Sequence, residues 1–256
     1  MTTQPDATTT TTGRPWRRSR RTRERRGRTQ SRGWSVPAAL MVLSAIPLTA
    51  GTLRLVQLAG GPDLMPADDR FTGFPTALVV HIIGAAVFAL VGMFQFVPGI
   101  RRRHRAWHRR AGRVVAVAGL AVAGSALWLT LFYEPQPGTG GLLYLLRLLF
   151  AGAMAACMVL GFTAIRRHDI AAHRAWMIRA YALGLGAGTQ VFTEGFGGAI
   201  FGTGVVAGDL AKGAGWILNL AVAEWAIRRP TRRRNRRQRQ RRTGITAGTA
   251  PAGATS

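Results

Sequence analysis

Residues 75–98, PTALVVHIIGAAVFALVGMFQFVP, form a long apolar stretch that leads into an arginine cluster at 99–113, GIRRRHRAWHRRAGR. About 20 residues rising roughly 1.5 Å each cross a hydrocarbon core about 30 Å thick, so such a stretch predicts a membrane-spanning helix. Similar stretches lie on both sides of it, and the sequence therefore predicts an all-α, polytopic membrane protein with six transmembrane helices. The six predicted spans are 36–56, 75–98, 114–133, 142–165, 175–198 and 204–227.

Arginine is concentrated in every second connection between these spans. Of the 35 basic residues, ten are arginines in 1–33, seven in 101–113, three in 166–174 and ten in 228–242. If six helices alternate in direction, these four segments lie on one side of the membrane. Basic residues stay on the cytoplasmic side during insertion. The pattern therefore predicts a bacterial inner-membrane protein with both termini in the cytoplasm.

The two ends of the chain differ in composition from the middle. Segment 1–33 is rich in threonine and arginine and segment 230–256 in arginine, so neither can bury apolar surface and both are predicted to be disordered. The six-helix transmembrane domain then occupies 34–229. The formal net charge of +25 favours contact with anionic lipid headgroups beside the spans. Nucleic acid is not expected as a partner because no base-reading motif accompanies the charge. A homo-oligomer is left open.

A four-residue phrase occurs twice in the basic loops. His-Arg-Ala-Trp stands at 104–107, before the third span, and again at 173–176, before the fifth. Tryptophan and arginine both suit a membrane interface, but four identical residues in a row favour duplication. We therefore predict that spans two and three, and spans four and five, form a duplicated helical hairpin.

The same residues carry a resemblance to a known family. The run from His81 and Gly84 to Gly92, Gln95 and Phe96, the basic loop 101–113, and HRAWMIRAYA at 173–182 resemble the DUF2306 family of bacterial predicted membrane proteins. The resemblance extends over roughly residues 75–227. It implies a multi-pass inner-membrane protein with no assigned activity, so it supports the fold and leaves the function open.

Polar side chains within the predicted spans indicate where a site lies. A charged group at the bilayer centre costs about 2.5–3.5 kcal/mol on insertion scales, so such groups usually face a bundle interior. His81 stands mid-span beside a face of glycine and glutamine, where apolar packing does not explain it. Asp209 and Lys212 are three residues apart on one helix and are expected to pair. We predict a polar pocket in the outer half of the bundle, with candidate residues His81, Gln95, Arg147, Arg179, Gln190, Glu194, Asp209 and Lys212.

Three classes of function are compatible with this pattern. No HExxH, GxSxG or P-loop motif is present and no catalytic or metal-binding residues are predicted, which favours a ligand-binding, sensor or subunit module. A small-molecule or proton-coupled transporter is an alternative, although no predicted span is clearly broken into half-helices. A b-type haem or quinone-linked redox protein is another. Its candidate axial ligands are His108 and His173 near the arginine-rich side, since no second histidine within a span partners His81.

Overall fold

The structure, a computed structural model, describes residues 16–66, 68–71 and 75–247, with side chains for 34–66, 68–71 and 75–229. Within those ranges it contains α-helices and one 3₁₀ turn at Asp69–Phe71, and no strand. The predicted all-α class is confirmed. The helices are α1 (Trp16–Leu58), α2 (Thr76–Phe94), α3 (Pro98–Arg103), α4 (Arg105–Phe132), α5 (Gly141–Arg166), α6 (Ile170–Gly184), α7 (Gly186–Phe201) and α8 (Val205–Ala247).

Five helical segments within the described residues are long and apolar enough to cross a membrane. They are Trp34–Leu58, Thr76–Phe94, Arg105–Phe132, Gly141–Arg166 and Val205–Arg229. These coincide with the first, second, third, fourth and sixth predicted spans. The multi-pass membrane architecture is therefore confirmed. The predicted fifth span, 175–198, is divided between α6 and α7, which have 15 and 16 residues.

The division of the fifth span corrects the expectation that no span is broken. Regular helix stops at Gly184 and resumes at Gly186, with Leu185 at φ −85° and ψ 6° between them. The backbone N–H groups of Leu185 and Gly188 bond to the carbonyls of Tyr181 and Leu185, at 3.1 Å each. Glycines on both sides of Leu185 favour a local departure from the α-helix, because glycine loses more backbone entropy than other residues when a helix forms. This interruption, the α6–α7 break, lies in the middle of the predicted span.

The break is held by one side chain on α8. Asn219 Nδ2 donates to the Ala182 carbonyl on α6 at 3.1 Å, and Asn219 Oδ1 accepts from Thr189 Oγ1 on α7 at 2.7 Å. In an unbroken helix the Ala182 carbonyl would accept from the residue four positions later. A backbone polar group left unpaired in lipid costs several kcal/mol, so Asn219 compensates for the interruption.

Replacing Asn219 by leucine should lower the free energy of unfolding by about 1–3 kcal/mol, because the part-buried Ala182 carbonyl and the Thr189 hydroxyl both lose their partner. Equilibrium unfolding in mixed detergent–SDS micelles measures this. Thr193→Val is the matched control, since the Thr193 hydroxyl bonds only to carbonyls of its own helix, Thr189 and Gln190. Equal stability of the two variants would show that Asn219 does not hold the break.

Helices α1 and α8 both continue beyond the membrane-spanning part of the chain. Their backbone is helical from Trp16 and as far as Ala247. These extensions enter the arginine-rich segments 1–33 and 230–256. The disorder expected from their composition stays a prediction, and residues 1–15 and 248–256 lie outside the described residues.

The core forms where the two predicted hairpins meet. Helix α2 packs on α4, α5 packs on α6, and α4 joins the two pairs through α5. Phe88 and Tyr181 pack with ring centroids 5.3 Å apart, and the Tyr181 hydroxyl donates to the Ala89 carbonyl at 2.8 Å. Glycine is required at position 92, since a Cβ there would overlap the Tyr181 ring. The repeated phrase itself is not equivalent in the two copies, because His104 precedes α4 whereas His173 lies inside α6.

The outer surface of the helices is apolar, as contact with lipid requires. Large side chains such as Val117, Leu145, Phe196 and Ile200 are 62–70% exposed. Contiguous exposed apolar surface on this scale is unusual for a protein surrounded by water. This exposed apolar surface is the one expected where lipid hydrocarbon surrounds the helices.

Candidate functional site: a polar cavity among the helices

A cavity of about 740 Å³ lies at the end of the bundle opposite the arginine-rich loops. Its walls come from α1, α2, α4, α5, the end of α6, α7 and α8, with the connections around Phe71 and residues 133–140 at the rim. Binding sites for small molecules commonly measure roughly 300–1,000 Å³. Five of the eight predicted pocket residues line it: His81, Arg147, Gln190, Glu194 and Lys212.

His81 is held by a residue 44 positions away in the chain. Its Nδ1 lies 3.1 Å from Ser125 Oγ on α4. Ser125 is 7% exposed, and its hydroxyl lies 2.6 Å from the Ala121 carbonyl. The imidazole is therefore fixed in orientation at the cavity wall. Sequence reasoning missed Ser125, because nothing in the spacing of 81 and 125 indicates a contact.

Arg147 is the cation in the cavity that lacks a counter-charge. Its side chain is partly buried on α5, and within the described residues it makes no hydrogen bond and no ion pair within 4 Å. Arg70, Asp209 and Glu194 act on it electrostatically, but neither carboxylate comes within ion-pair distance. Removing a guanidinium from water is costly unless an opposite charge is close.

Lys212 pairs with a carboxylate on a neighbouring helix. The sequence spacing predicts a pair with Asp209 instead, and the structure does not contain it. The Lys212 Nζ lies 2.9 Å from Glu194 Oε2 on α7. Gln190, one turn before Glu194, donates from Nε2 to the Lys212 carbonyl at 3.1 Å. These contacts join α7 to α8 along one wall of the cavity and neutralise Lys212.

Asp209 has a structural position beside the cavity. It is 1% exposed, and its carboxylate accepts from the backbone N–H groups of Gly140, at 3.1 and 3.2 Å, and Leu143, at 3.0 Å. These groups open α5, whose N-cap residue Gly140 has no side chain to satisfy them. A carboxylate also suits the positive end of the helix dipole. Asp209 on α8 therefore caps α5 from another helix.

The deeper wall of the cavity is apolar and aromatic. Phe150 and Trp216 are stacked with centroids 4.9 Å apart at an interplanar angle of 29°, and both line the cavity. Trp216 packs against Gly186, where a Cβ would overlap the indole. Leu183 and Met154 complete this part of the wall. The cavity thus has a polar mouth and an apolar interior.

At the rim, Arg70 is neutralised locally. Its guanidinium donates two hydrogen bonds to the Asp68 carboxylate, from Nε to Oδ1 at 2.8 Å and from Nη2 to Oδ2 at 2.6 Å. These hydrogen bonds lower the pKa of the Asp68 carboxyl and raise the pKa of the Arg70 guanidinium. Because Arg70 already has a carboxylate, it is less available than Arg147 to a ligand.

The remaining predicted residues lie at the other, arginine-rich end. Arg179 pairs with Glu224 at 2.5 Å and stacks on Trp176, joining α6 to α8. Gln95 has both amide atoms buried without a partner among the residues whose side chains are described. Neither Gln95 nor Arg179 lines the cavity, so the structure does not bring them together with His81 and Arg147.

The two candidate haem ligands also lie away from the cavity. His173 Nδ1 lies 2.8 Å from the Gly161 carbonyl, and His108 Nδ1 is buried without a partner in the described part of the chain. His81 is the histidine among the residues that line the cavity. The hypothesis that His108 and His173 together hold a haem near the arginine-rich side stays a prediction.

Comparison with known proteins identifies the family. The family described as "Predicted membrane protein (DUF2306)" matches residues 78–227, which include nearly all of α2, the whole of α3 to α7 and nearly all of the membrane-spanning part of α8. The chain belongs to the DUF2306 family. The charged residues that line the cavity from within the spans lie inside the DUF2306 region, and so does Asp209. They are Arg147, Glu194 and Lys212. No curated protein and no solved structure matches the chain.

Proposed function

We propose that this DUF2306 protein is a ligand-binding protein of the inner membrane whose cavity takes an anionic amphiphile. The observation that carries the proposal is Arg147, an unpaired guanidinium in a cavity whose deeper wall is apolar. A ligand with a carboxylate or phosphate would supply the missing counter-charge, and its hydrocarbon part would cover Phe150 and Trp216. Such a protein would serve as a sensor, a carrier or a subunit of a larger assembly.

The proposed orientation follows from the basic segments. The arginine-rich end faces the cytoplasm and meets anionic lipid headgroups, and the cavity opens toward the opposite side. Both termini are then cytoplasmic. A ligand would reach the cavity from outside or from the outer leaflet.

Arg147→Gln should weaken binding of tritiated myristic acid roughly 10- to 100-fold, the range expected for losing a charge-assisted hydrogen-bonded pair. Scintillation-proximity binding to protein in phosphatidylcholine nanodiscs measures this. Arg54→Gln is the matched control, an arginine at the same end that bonds to Gln57 and Pro66 and does not line the cavity. Competition by dodecyl phosphate then distinguishes a phosphate-selective site from a carboxylate-selective one.

Two results would contradict the proposal. The first is no saturable binding of either probe to the wild-type protein. The second is equal binding by the Arg147→Gln and Arg54→Gln variants, which would mean that Arg147 extends to the headgroup layer and does not serve the cavity.

The α6–α7 break favours a transporter as the second candidate. Interrupted helices next to a central site are typical of secondary transporters, and Leu183, Gly184, Leu185 and Ala187 around the break line the cavity. A cysteine at Gln190, in a chain whose Cys157 is replaced by alanine, separates the two candidates. A binding protein should react with an impermeant maleimide from one side of the membrane only, and a transporter from both sides.

A further inference from the structure

The hydrogen bonds around His81 determine which of its nitrogens carries the proton. A serine hydroxyl has one proton, and the 2.6 Å contact from Ser125 Oγ to the Ala121 carbonyl uses it, since a carbonyl can only accept. Ser125 Oγ must therefore accept from His81, and Nδ1 is the donor across the 3.1 Å contact. A neutral imidazole protonated on Nδ1 has an unprotonated Nε2 with a free lone pair.

That lone pair is available to a ligand. Among the described residues Nε2 of His81 makes no hydrogen bond, and His81 itself lines the cavity. The further backbone partner of the imidazole is Val122, whose carbonyl lies beside Ser125 Oγ and therefore near Nδ1. The cavity thus presents two polar groups with opposite hydrogen-bonding roles. Arg147 can only donate hydrogen bonds, and Nε2 of His81 in this tautomer can only accept them.

The charges of the cavity decide what kind of donor would meet His81. Arg147, Arg70 and Lys212 line the cavity, against the carboxylates Glu134 and Glu194. Glu194 is already paired with Lys212, and Glu134 is exposed at the rim. Because Lys212 is paired with Glu194 and Arg70 with Asp68, Arg147 is the cavity cation without an ion pair among the described residues. An ammonium group placed beside His81 would be repelled by Arg147, whereas a neutral hydroxyl would not.

We propose that the ligand of this cavity is a hydroxylated anionic amphiphile, whose anionic oxygen binds Arg147 and whose hydroxyl donates to Nε2 of His81. This inference rests on the proposed function and narrows its ligand class. Ser125 acts as a positioning residue that holds the accepting tautomer and does not touch the ligand. A site built to bond a hydroxyl discriminates against the analogue that lacks it, because the polar group is then left unpaired.

The experiment compares three unlabelled competitors against tritiated myristic acid in phosphatidylcholine nanodiscs. They are myristic acid and its 2-hydroxy and 3-hydroxy derivatives, which carry the hydroxyl one and two carbons from the carboxylate. At least one hydroxy acid should bind about five- to tenfold more tightly than myristic acid, the range of one net hydrogen bond. His81→Phe should abolish that preference, so that the variant binds the hydroxy acids and myristic acid with the same affinity, because the accepting nitrogen is gone.

Substitutions at Ser125 test which tautomer His81 adopts while leaving the His81 side chain itself unchanged. Ser125→Ala should reduce the hydroxyl preference, since Nδ1 loses its acceptor and the proton is free to occupy either nitrogen. Ser125→Thr should restore the preference because it keeps the hydroxyl. Thr130→Val is the control on the same helix, since Thr130 lines the cavity but its hydroxyl is engaged with the Ala126 carbonyl at 2.7 Å.

The outcomes separate this inference from the proposed function. If all three acids bind equally to the wild-type protein, or if the preference survives in both His81→Phe and Ser125→Ala, the hydroxyl inference is overturned and the anionic site stands. If none of the acids binds, the proposed function fails first. A preference lost in Ser125→Ala and regained in Ser125→Thr supports the inference even if His81→Phe does not fold.

Discussion

Asp209→Ala should lower the free energy of unfolding by about 3–5 kcal/mol, the largest loss expected for any single polar side chain of this domain. The substitution leaves the backbone N–H groups of Gly140 and Leu143 without their acceptor, the first in a part-buried and the second in a buried position. It also removes a negative charge from the positive end of the α5 dipole. Equilibrium unfolding in mixed detergent–SDS micelles, followed by tryptophan fluorescence, measures the difference.

Two matched variants separate capping from other effects of Asp209. Asp209→Asn keeps one accepting oxygen and should lose roughly half as much stability, because the neutral amide bonds less strongly than a carboxylate. Asp169→Ala removes the exposed cap of α6, which accepts from Ala172 N at 2.9 Å, and should cost about 1 kcal/mol. If Asp209→Ala is no more destabilising than Asp169→Ala, the carboxylate does not hold the start of α5.

The capping role has a consequence for the site. Helix α5 carries both Arg147 and Phe150, so the first turn that Asp209 stabilises positions the cation and the aromatic wall of the cavity. Loss of binding in an Asp209 variant would therefore reflect a displaced α5. Asp209 is predicted as a pocket residue, but its carboxylate is occupied by the start of α5 and does not contact a ligand in the proposed site.

Gly188→Ala should be nearly as damaging, with a loss of about 2–4 kcal/mol in the free energy of unfolding. A Cβ at position 188 would overlap the carbonyl oxygen of Leu43, which is backbone of α1 and cannot rotate away. Overpacking that forces backbone to move commonly costs about 1–3 kcal/mol and occasionally more. Helix α1 would have to separate from α7, and α1 supplies Ser44, Pro47 and Leu48 to the cavity wall.

The control for Gly188 lies two turns later on the same helix. A Cβ at Gly195 would meet nothing within 4 Å, so Gly195→Ala should be neutral or stabilising by up to about 1 kcal/mol through helix propensity. The same unfolding experiment compares both variants. Equal stability of Gly188→Ala and the wild type would show that α1 is free to move away from α7 at little cost.

The membrane-spanning segments follow from the chain alone. Apolar stretches of about 20 residues have few alternatives in a bilayer, because every backbone group must be satisfied within a helix. The predicted spans at 36–56 and 142–165 accordingly lie within the apolar segments Trp34–Leu58 and Gly141–Arg166. Polar residues within spans also pointed to the cavity, since such groups rarely face lipid. His81, Arg147 and Glu194 were found in this way.

The partners of those polar groups were decided by tertiary structure. A helix offers several residues at similar depth, and its rotation and tilt select which of them meets a neighbour. Lys212 is near Asp209 on its own helix yet pairs with Glu194, because α7 packs along α8. Asp209 then caps α5, whose start is 69 positions away at Gly140.

The His81–Ser125 contact and the α6–α7 break were likewise decided by contacts between helices. The contact of His81 with Ser125 joins residues 44 positions apart, and no periodicity within either helix indicates it. The α6–α7 break is compatible with the glycines around Leu185, but glycine is also common in unbroken membrane helices. Only the hydrogen bonds of Asn219 to both half-helices distinguish these cases. Composition and periodicity therefore determine which segments enter the bilayer, whereas contacts between helices determine how their polar atoms are satisfied.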